Sequence, residues 1–312
     1  MSCDTRFTMG WHLRDDAPVW LTIGNFDGVH LGHQALLADL IRLARQDNTR
    51  SVLLSFSPNP KVFFSGEKGF YLSTPGEKTA LLSRLGIDDV LIIAFERKLA
   101  NMAATDFMAE LTRRINLKGF VVGEDFVFGH NRQGTTEVLA EFCEKQGIPF
   151  VVFPELMMDG EPVSSTRIRR ALNDGKVDEA RRLLGRPYAM CAKVISGEQI
   201  GKSIGVPTAN LELDPDKFLP KRGVYATIAH LREKDYPAVT NVGVRPTFSE
   251  QEIVSVETLI LDFNDDIYGE ELRVEFIQCL RPEQKFDSVQ ALTQQIEKDK
   301  LITRRIFENG LK

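Results

Sequence analysis

Hydrophobic residues in the first 185 positions occur in short runs, which are separated by segments with helical spacing. Each run is apolar and rich in β-branched residues, as strands covered on both faces of a sheet require. Because predicted strands and helices alternate, we expect an α/β domain with a doubly wound parallel sheet and right-handed crossovers. The predicted strands are VWLTIG (19–24), SVLLSF (51–56), DVLIIAF (89–95), GFVVG (119–123) and PFVVF (149–153).

Two segments between these strands have clear helical signatures. In residues 33–46, leucine and isoleucine recur at helical spacing and form one apolar face. The string TPGE makes Thr74 the predicted N-cap, Pro75 the first helical residue and Glu77 the capping-box partner. We expect this second helix to end at Gly86, because glycine is the residue that most often closes a helix.

After residue 185 the pattern changes to strand-like runs that follow one another directly. Glycine and proline occur at the turns, and a long helical pattern returns only at residues 288–308. This predicts a small antiparallel β-barrel followed by a terminal helix. We therefore divide the chain into domains at 1–185 and 186–312. The predicted barrel strands are YAMCAKVI, TANLEL, GVYATIAHL, YPAVTNVG, VSVETLILDF and LRVEFIQCL.

The composition is that of an ordinary soluble globular protein. Of the 312 residues, 43% are hydrophobic and 27% are charged, and the net charge is -5. An acidic balance argues against non-specific binding to nucleic acid or to a membrane surface. The four cysteines are scattered without a CxxC pair, which favours a reducing compartment. Since the N-terminus is polar and no apolar run approaches ~20 residues, we expect a cytoplasmic protein without a membrane partner.

The densest group of candidate functional residues is the string GNFDGVHLGH, at the first predicted strand-to-helix turn. In an open α/β sheet, ligands bind beyond the carboxyl ends of the strands, and a helix N-terminus offers free N–H groups to an anion. Gly24, Gly28 and Gly32 would let the backbone approach a ligand closely. His30 and His33 lie three residues apart and can face one phosphate. The alternatives are turn glycines with two surface histidines, or a metal site, for which further ligands at familiar spacing are missing.

A second candidate anion site is the string VSSTRIRRAL, residues 163–172. Ser164 or Ser165 is a plausible N-cap for a helix that starts near Thr166. Hydroxyl groups, free N–H groups and the Arg169 guanidinium would converge there on an anion. The alternative is a capped, basic surface helix.

Glu257 is a carboxylate in an unusual place, inside the apolar run VSVETLILDF. Glutamate is depleted in strands. Strand alternation puts Val256 and Thr258 on one face and Glu257 with Leu259 on the other. A single glutamate on an apolar face is either an edge residue or a functional carboxylate, and the pattern leaves both open.

These strings resemble one family. HLGH fits the HxGH signature of nucleotidylyltransferases, and GNFDGVHLGHQ is similar to the bifunctional prokaryotic riboflavin kinase/FMN adenylyltransferases, also called FAD synthetases. SSTRIR resembles the family's SSTxIR motif, and GKSIGVPTAN resembles its G(R)xxGxPTAN motif. The resemblance covers nearly the whole chain in family order. It implies a flavin cofactor biosynthesis enzyme that converts riboflavin and ATP to FMN, and FMN and a second ATP to FAD and pyrophosphate, with Mg²⁺ in both steps.

For the N-terminal half, the resemblance implies that His30 and His33 donate hydrogen bonds to phosphate during adenylyl transfer. It implies flavin or nucleotide contacts near the ends of later strands, although Phe128 can equally belong to the core. The residues expected to contact ATP or its phosphates are Gly24, Asp27, Gly32, Ser165, Thr166 and Arg169, and those expected at the flavin are Phe64, Asp125 and Phe128. Asn59 departs from the family, which usually has histidine there, so any role for that position is open.

For the C-terminal half, the resemblance makes Glu257 the base for the riboflavin 5′-hydroxyl. Thr208 and Asn210 would hold Mg²⁺ with ATP, and Gly201 and Gly205 would cover the nucleotide phosphates. Arg281 and the terminal helix would close over the flavin. The implied partners are small molecules, namely riboflavin, FMN, FAD and ATP, with the chain a monomer or a weak homo-oligomer. Two alternatives remain: a nucleotidylyltransferase joined to a barrel that only binds flavin, and a flavin-sensing regulator.

Overall fold

The computed structural model describes residues 5–13, 15–196, 206–245 and 253–308. Its internal contacts divide the chain into two compact units, Met1–Ser164 and Ser165–Lys312. The predicted domain boundary at residue 185 therefore falls within the second unit, after two helices, and remains a prediction about function.

The first unit is built on a six-stranded sheet with the strand order β1-β4-β3-β2-β5-β6, and all its neighbouring strands are parallel. Its strands are β1 (Arg6–Met9), β2 (Val19–Ile23), β3 (Arg50–Ser57), β4 (Asp89–Ala94), β5 (Leu117–Gly123) and β6 (Phe150–Phe153). Its helices are α1 (Leu31–Gln46), α2 (Pro60–Ser65), α3 (Pro75–Ser83), α4 (Arg97–Ala100), α5 (Ala104–Arg114) and α6 (Thr136–Gln146). A 3₁₀ turn (His130–Arg132) and a hairpin of β7 (Met157–Met158) with β8 (Glu161–Pro162) complete it. The five predicted strands are confirmed.

Helices cover both faces of this sheet, which confirms the doubly wound α/β prediction. Leu21 and Ile23 of β2 pack with residues of α5 and α6 on one face. Trp20 packs with residues of α1 and α3 on the other. The chain runs from β2 outward to β3 and β4 and later returns to place β5 on the opposite side of β2. The strand order thus reverses between β2 and β5, and a crevice beyond their carboxyl ends is the expected ligand position.

The helix predictions hold with shifts of about one turn at the ends. Thr74 and Glu77 form the predicted capping box of α3, with Pro75 at its start. The helix ends at Ser83, and a turn carries the chain to Gly86, which has a positive φ of 75°. Helix α1 begins at Leu31, two residues earlier than its apolar pattern suggested, because the preceding residue caps it.

The second unit contains a closed barrel with the order β10-β13-β12-β11-β14-β9, in which every pairing is antiparallel. Helices α7 (Ser165–Asn173) and α8 (Val177–Leu184) precede it, and α9 (Val289–Glu308) follows it. The strands are β9 (Tyr188–Ile195), β10 (Ala209–Leu211), β11 (Gly223–Leu231), β12 (Lys234–Arg245), β13 (Ile253–Ile260) and β14 (Glu271–Pro282). The predicted antiparallel barrel with a terminal helix is confirmed.

The two faces of β13 differ as its alternation predicted. Thr258 is fully buried inside the barrel, where its hydroxyl lies 3.0 Å from that of Thr240. Leu259 lies on the outer face, in an apolar cluster that Ile296 of α9 helps to cover. Glu257 shares this outer face with Leu259.

Candidate active sites

The turn between β2 and α1 holds two stacked histidines. His30 is the N-cap of α1, and its Nδ1 accepts the backbone N–H of His33 at 3.3 Å. The two rings are stacked, with centroids 3.6 Å apart and planes inclined by 18°. Because Nδ1 of His30 accepts, the proton of the neutral ring resides on Nε2, which leaves Nε2 as a donor. The turn thus places the rings of His30 and His33 face to face.

The backbone of this turn is held in an uncommon conformation. Phe26 and Val29 have positive φ angles of 49° and 41°, a region that non-glycine residues seldom occupy. The buried Asp27 accepts the backbone N–H groups of Leu72 and Ser73 at 3.2 and 3.1 Å. These bonds fix the turn against the segment before α3. They account for the burial of Asp27, and its predicted phosphate contact remains a prediction.

Two glycines allow close packing around the histidines. A Cβ on Gly24 would lie 2.8 Å from the ring of Phe26, and one on Gly32 would lie 3.2 Å from Nδ1 of His30. A side chain at Gly24 would therefore displace the Phe26 ring, which itself lies 4.6 Å from the His33 ring. Glycine at both positions therefore leaves room for the rings of Phe26 and His30 beside the histidine pair.

His33 is held in its neutral form. Burial lowers the pKa of His33 well below 6.5, and the neighbouring charges of His30 and Lys78 lower it further. A neutral imidazole keeps one N–H for donation and cannot act as a fixed cation. If this site needs positive charge, another group must supply it.

A charged residue that the sequence interpretation missed, Lys78, lies close to this turn. Its Nζ donates to the carbonyl oxygen of Asn25 and to Oγ of Ser55, both at 3.2 Å. Burial lowers the pKa of Lys78, and the nearby Asp27 carboxylate opposes this by raising it. In the sequence, Lys78 is an ordinary residue that follows the capping-box glutamate. No local pattern signals that it reaches the sheet.

The predicted flavin contacts of the first unit lie beyond β3 and β5. Phe64 of α2 is 69% exposed, and its ring lies 5.3 Å from Phe63 and 5.9 Å from Phe95. Asn59 caps α2, since its Oδ1 accepts the backbone N–H of Lys61 at 2.9 Å. An aromatic surface that remains exposed in the folded protein suits a planar ligand.

Beyond β5, Asp125 and Phe128 have different surroundings. Asp125 is exposed, with Oδ1 3.1 Å from the position that a Cβ on Gly123 would take. Phe128 stacks on Phe126 with centroids 5.4 Å apart and packs against the core. Its other side is close to Gly134, where an added Cβ would lie 2.6 Å from the ring. Phe128 therefore contributes to packing, whatever else it contacts.

In the second unit, Ser165 is the first residue of α7, and Thr166 and Arg169 lie in its first two turns. Thr166 is exposed, whereas Ser165 and Arg169 are half-buried. The buried Arg167 pairs with Glu179 of α8 at 3.3 Å, which joins the two helices. The predicted residues thus occupy a helix N-terminus, where an anion is favourable.

Glu257 lies between two asparagines of adjacent strands. The barrel register puts it opposite Asn210 of β10 and opposite Asn241 of β12. Directly opposed residues share a face, so the three side chains form a polar row on the outer face of the barrel. The register places Glu257 beside Asn210, and their predicted roles remain predictions. Asn241 is a further residue that only the register reveals.

Thr208 lines a cavity of about 300 Å³, which also contacts Thr258 and Ile260 on the other face of β13 from Glu257. The cavity is bordered by Pro207 and by residues from Phe263 to Tyr268, in the turn after β13. Gly201 and Gly205, predicted to cover phosphates, lie outside the described residues.

Arg281 of β14 is fixed by the terminal helix. Its Nε and Nη2 donate to Asp299, at 3.1 and 2.9 Å from Oδ2, and Asp299 is only 1% exposed. Gln295 donates to the same carboxylate at 2.9 Å. The guanidinium also lies 5.6 Å from the Phe286 ring centroid. Arg281 is thus bonded to the terminal helix, and the predicted closure of both over the flavin remains a prediction.

Within the described ranges, no three His, Cys, Asp or Glu side chains cluster as a metal site would require. A magnesium ion held by neutral oxygens and ligand phosphates does not need such a cluster. None of the described helices is long and apolar enough to cross a membrane.

Comparisons with known proteins assign a family to each half of the chain. A family model described as FAD synthetase matches residues 13–167, and one described as riboflavin kinase matches residues 184–307. A bifunctional riboflavin kinase/FMN adenylyltransferase from Escherichia coli (strain K12) is 37% identical over 292 residues, which cover 92% of each chain. One from Listeria monocytogenes is 33% identical over 289 residues, again 92% of each chain. The chain belongs to this family.

Family membership confirms the predicted enzyme class, a single chain with FAD synthetase and riboflavin kinase domains. Both domains belong to families that use ATP as co-substrate. The alternative of a barrel that only binds flavin is not favoured, because residues 184–307 match the kinase family itself.

A crystal structure from Streptococcus pneumoniae is similar to nearly the whole chain. It has a TM-score of 0.88 and 32% identity, and the match covers 96% of this chain and 99% of that one. That protein is described as a macrolide-efflux protein. The relatives that match this chain over 92% of its length carry the flavin enzyme name instead.

Proposed function

We propose that the barrel transfers the γ-phosphoryl group of ATP to the 5′-hydroxyl of riboflavin, giving FMN and ADP. The observation that carries this proposal is the polar row on β10, β13 and β12, with Glu257 between Asn210 and Asn241. Glu257 accepts the hydroxyl proton as the oxygen attacks phosphorus. A positioned general base contributes about 10²–10⁴-fold to a rate.

Thr208 and Asn210 are the proposed holders of Mg²⁺ with ATP. Their neutral oxygens fit an ion that takes few protein ligands and completes its shell with phosphate and water. When bound, Mg²⁺ neutralises charge on the transferred phosphoryl group. The cavity beside Thr208 offers room for the nucleotide, and Gly201 and Gly205 are proposed to cover its phosphates.

We propose that the N-terminal domain then transfers the adenylyl group of a second ATP to FMN, giving FAD and pyrophosphate. The stacked His30 and His33 support this role, because imidazole N–H groups at a helix N-terminus donate hydrogen bonds to phosphate without being modified. Loss of one such donor is expected to cost roughly 10²–10³-fold in rate. The remaining proposed ATP contacts are Gly24, Asp27, Gly32, Ser165, Thr166 and Arg169.

For flavin binding, exposure favours Phe64 as a stacking surface. Asp125 and the accessible edge of Phe128 are weaker candidates. Arg281 is proposed to act at the kinase flavin site through the terminal helix to which it is bonded. Composition supports a cytoplasmic enzyme, and we propose a monomer or weak homo-oligomer.

The test of the kinase assignment is Glu257→Gln in the full chain. Riboflavin, ATP and Mg²⁺ are incubated with the protein, and flavins are separated by chromatography. FMN formation should be lost, while FAD formation from supplied FMN should continue. Glu271→Gln, at an exposed position of β14, is the matched control and should keep both activities.

Two results would contradict the proposal in different ways. FMN production that survives Glu257→Gln removes Glu257 as the base but leaves the enzyme class intact. Riboflavin that stays unchanged with the unmodified protein favours a flavin sensor over a kinase.

A further inference from the structure

Lys78 carries a positive charge to the carboxyl ends of two neighbouring strands. Its Nζ donates to the carbonyl oxygen of Asn25, two residues beyond β2, and to Oγ of the fully buried Ser55 in β3. Ligands of open α/β sheets bind at this edge. The long Lys78 side chain therefore brings its ammonium from α3 to the expected ligand position.

The charge is not neutralised by a direct ion pair. Both acceptors are uncharged, and an ammonium group has a third N–H to donate. Lys78 forms no ion pair within the described ranges, and both carboxylate oxygens of the nearby Asp27 accept backbone N–H groups. Partial burial of a cation without an ion pair costs free energy. An anionic ligand at the third N–H would offset this cost.

Other polar groups at the same strand end also have unused hydrogen-bonding capacity. Oδ1 of Asn25 and Nδ1 of His33 are buried atoms without a hydrogen-bond partner in the described part of the chain. Such atoms are rare in folded proteins, where a water, an ion or a catalytic role commonly accounts for them. Lys78 lies near enough to His33 for its charge to lower the pKa of that ring. Asn25, His33 and Lys78 therefore place polar or charged groups around the same strand end.

Building on the proposed adenylyl transfer, we propose that Lys78 is a further catalytic residue of that reaction, whose ammonium binds a phosphate oxygen of ATP. In the reaction an oxygen of the FMN phosphate attacks the α-phosphorus and forms the new P–O–P bond. The bond from the α-phosphorus to the bridging oxygen breaks, and its electron pair leaves with pyrophosphate. Negative charge grows on the leaving group and on the non-bridging oxygens, and a fixed cation lowers this barrier.

The test replaces Lys78 in the full chain with Gln, which can still donate to Asn25 and Ser55 but carries no charge. With FMN, ATP and Mg²⁺, Lys78→Gln should lower kcat/KM for pyrophosphate release by about 10²–10³-fold. Lys78→Arg keeps the charge and should recover much of the loss. Binding of inorganic pyrophosphate, measured by titration calorimetry, should weaken roughly tenfold in Lys78→Gln, the loss of one charge-assisted hydrogen bond.

Two internal controls separate a charge effect from damage to the fold. Lys145→Met removes a lysine whose side chain is 76% exposed on α6, and its adenylyl transfer should equal that of the unmodified protein. Riboflavin phosphorylation should be unchanged in all variants. If Lys78→Gln fails to fold, the comparison moves to Lys78→Arg and Lys78→Met, of which only the first should bind pyrophosphate normally.

Near-normal pyrophosphate release and pyrophosphate binding in a folded, uncharged variant would overturn the proposal for Lys78. A loss that Lys78→Arg fails to recover, with pyrophosphate binding unchanged, would also overturn it and make Lys78 a structural tether. If the unmodified protein releases no pyrophosphate from FMN and ATP, the proposed adenylyl transfer itself is wrong.

Discussion

At the scale of single residues, the protonation state of His33 has a measurable consequence for stability. Its pKa lies well below 6.5 in the folded protein because of burial and the charges of His30 and Lys78, whereas in the unfolded chain it is ~6.5. Below about pH 6.5 the unfolded state binds a proton that the folded state does not. The free energy of unfolding should therefore fall as the pH decreases through this range, and His33 should contribute no pH dependence above it.

This prediction is checked by urea unfolding of the unmodified protein and of His33→Gln between pH 7.5 and 5.5. Tryptophan fluorescence reports on the first unit alone, because the chain has two tryptophans, Trp11 and Trp20, and both lie there. The unmodified protein should lose more stability on acidification than the variant. Equal losses would mean that the pKa of His33 is not lowered in the folded protein.

Some site residues could be found from the sequence, and others became visible only in the structure. The difference is whether the residue is unusual among its sequence neighbours. His30, His33 and Glu257 stand out in the sequence because a histidine pair at a turn and a glutamate in an apolar strand are unusual locally. Lys78 and Asn241 are ordinary in their own segments. Their significance comes from a side chain that crosses to the sheet and from strand register, and neither is encoded in a window of neighbouring residues.

At the scale of elements, burial explains which parts of the fold were predictable. Strands β2 to β6 were predicted because their continuous apolar runs require cover on both faces. Strand β1, RFTM, was missed, since it is a short edge strand in a polar segment and its residues remain largely half-buried. The barrel and its terminal helix followed from alternation, which is a local property, whereas the closing pairs of β10 with β9 and β13 were not visible.

The terminal helix gives a second prediction, since two ion pairs join it to the barrel with different burial. Arg281 and Asp299 form a buried pair, and Arg304 and Asp262 form an exposed one. Asp299→Ala should destabilise the second unit by about 3–5 kcal/mol, because it leaves a buried guanidinium without its partner. Asp262→Ala, the matched control, should have little effect, because water solvates the exposed Arg304.

Hydrogen exchange of α9, followed by mass spectrometry, measures both effects. Asp299→Ala should accelerate exchange along the helix, and Asp262→Ala should not. Similar exchange in the two variants would show that the buried pair is no more important than the exposed one. A raised KM for riboflavin in Asp299→Ala alone would connect this helix to flavin binding.

At the scale of the whole molecule, sequence pattern and internal contacts give different domain boundaries. The hydrophobic pattern changes after residue 185, whereas the contacts divide the chain after Ser164. The FAD synthetase family match ends at residue 167, just after α7 begins, and the riboflavin kinase match starts at residue 184, where α8 ends. The hydrophobic pattern revealed the barrel because consecutive strands replace the alternation of strands and helices. It could not detect that α7 and α8 belong by contact to the second unit, since both are ordinary amphipathic helices.

Because the proposed catalytic residues His33 and Glu257 lie in different units, the two activities should be separable by substitution. His33→Ala should abolish FAD formation and leave riboflavin phosphorylation, and Glu257→Gln should have the opposite effect. We predict that an equimolar mixture of these two variants converts riboflavin to FAD, because FMN released by one chain can bind to the other. Chromatography of the mixture against each variant alone measures this.

The time course of the mixture distinguishes free exchange from transfer within one chain. Free exchange predicts that FMN accumulates first and that FAD follows after a lag, which shortens as protein concentration rises. FMN that accumulates without conversion, although Glu257→Gln alone converts supplied FMN, would contradict the prediction. That result would mean that released FMN does not reach the second chain in a usable form, and that synthesis of FAD from riboflavin requires both sites in one molecule.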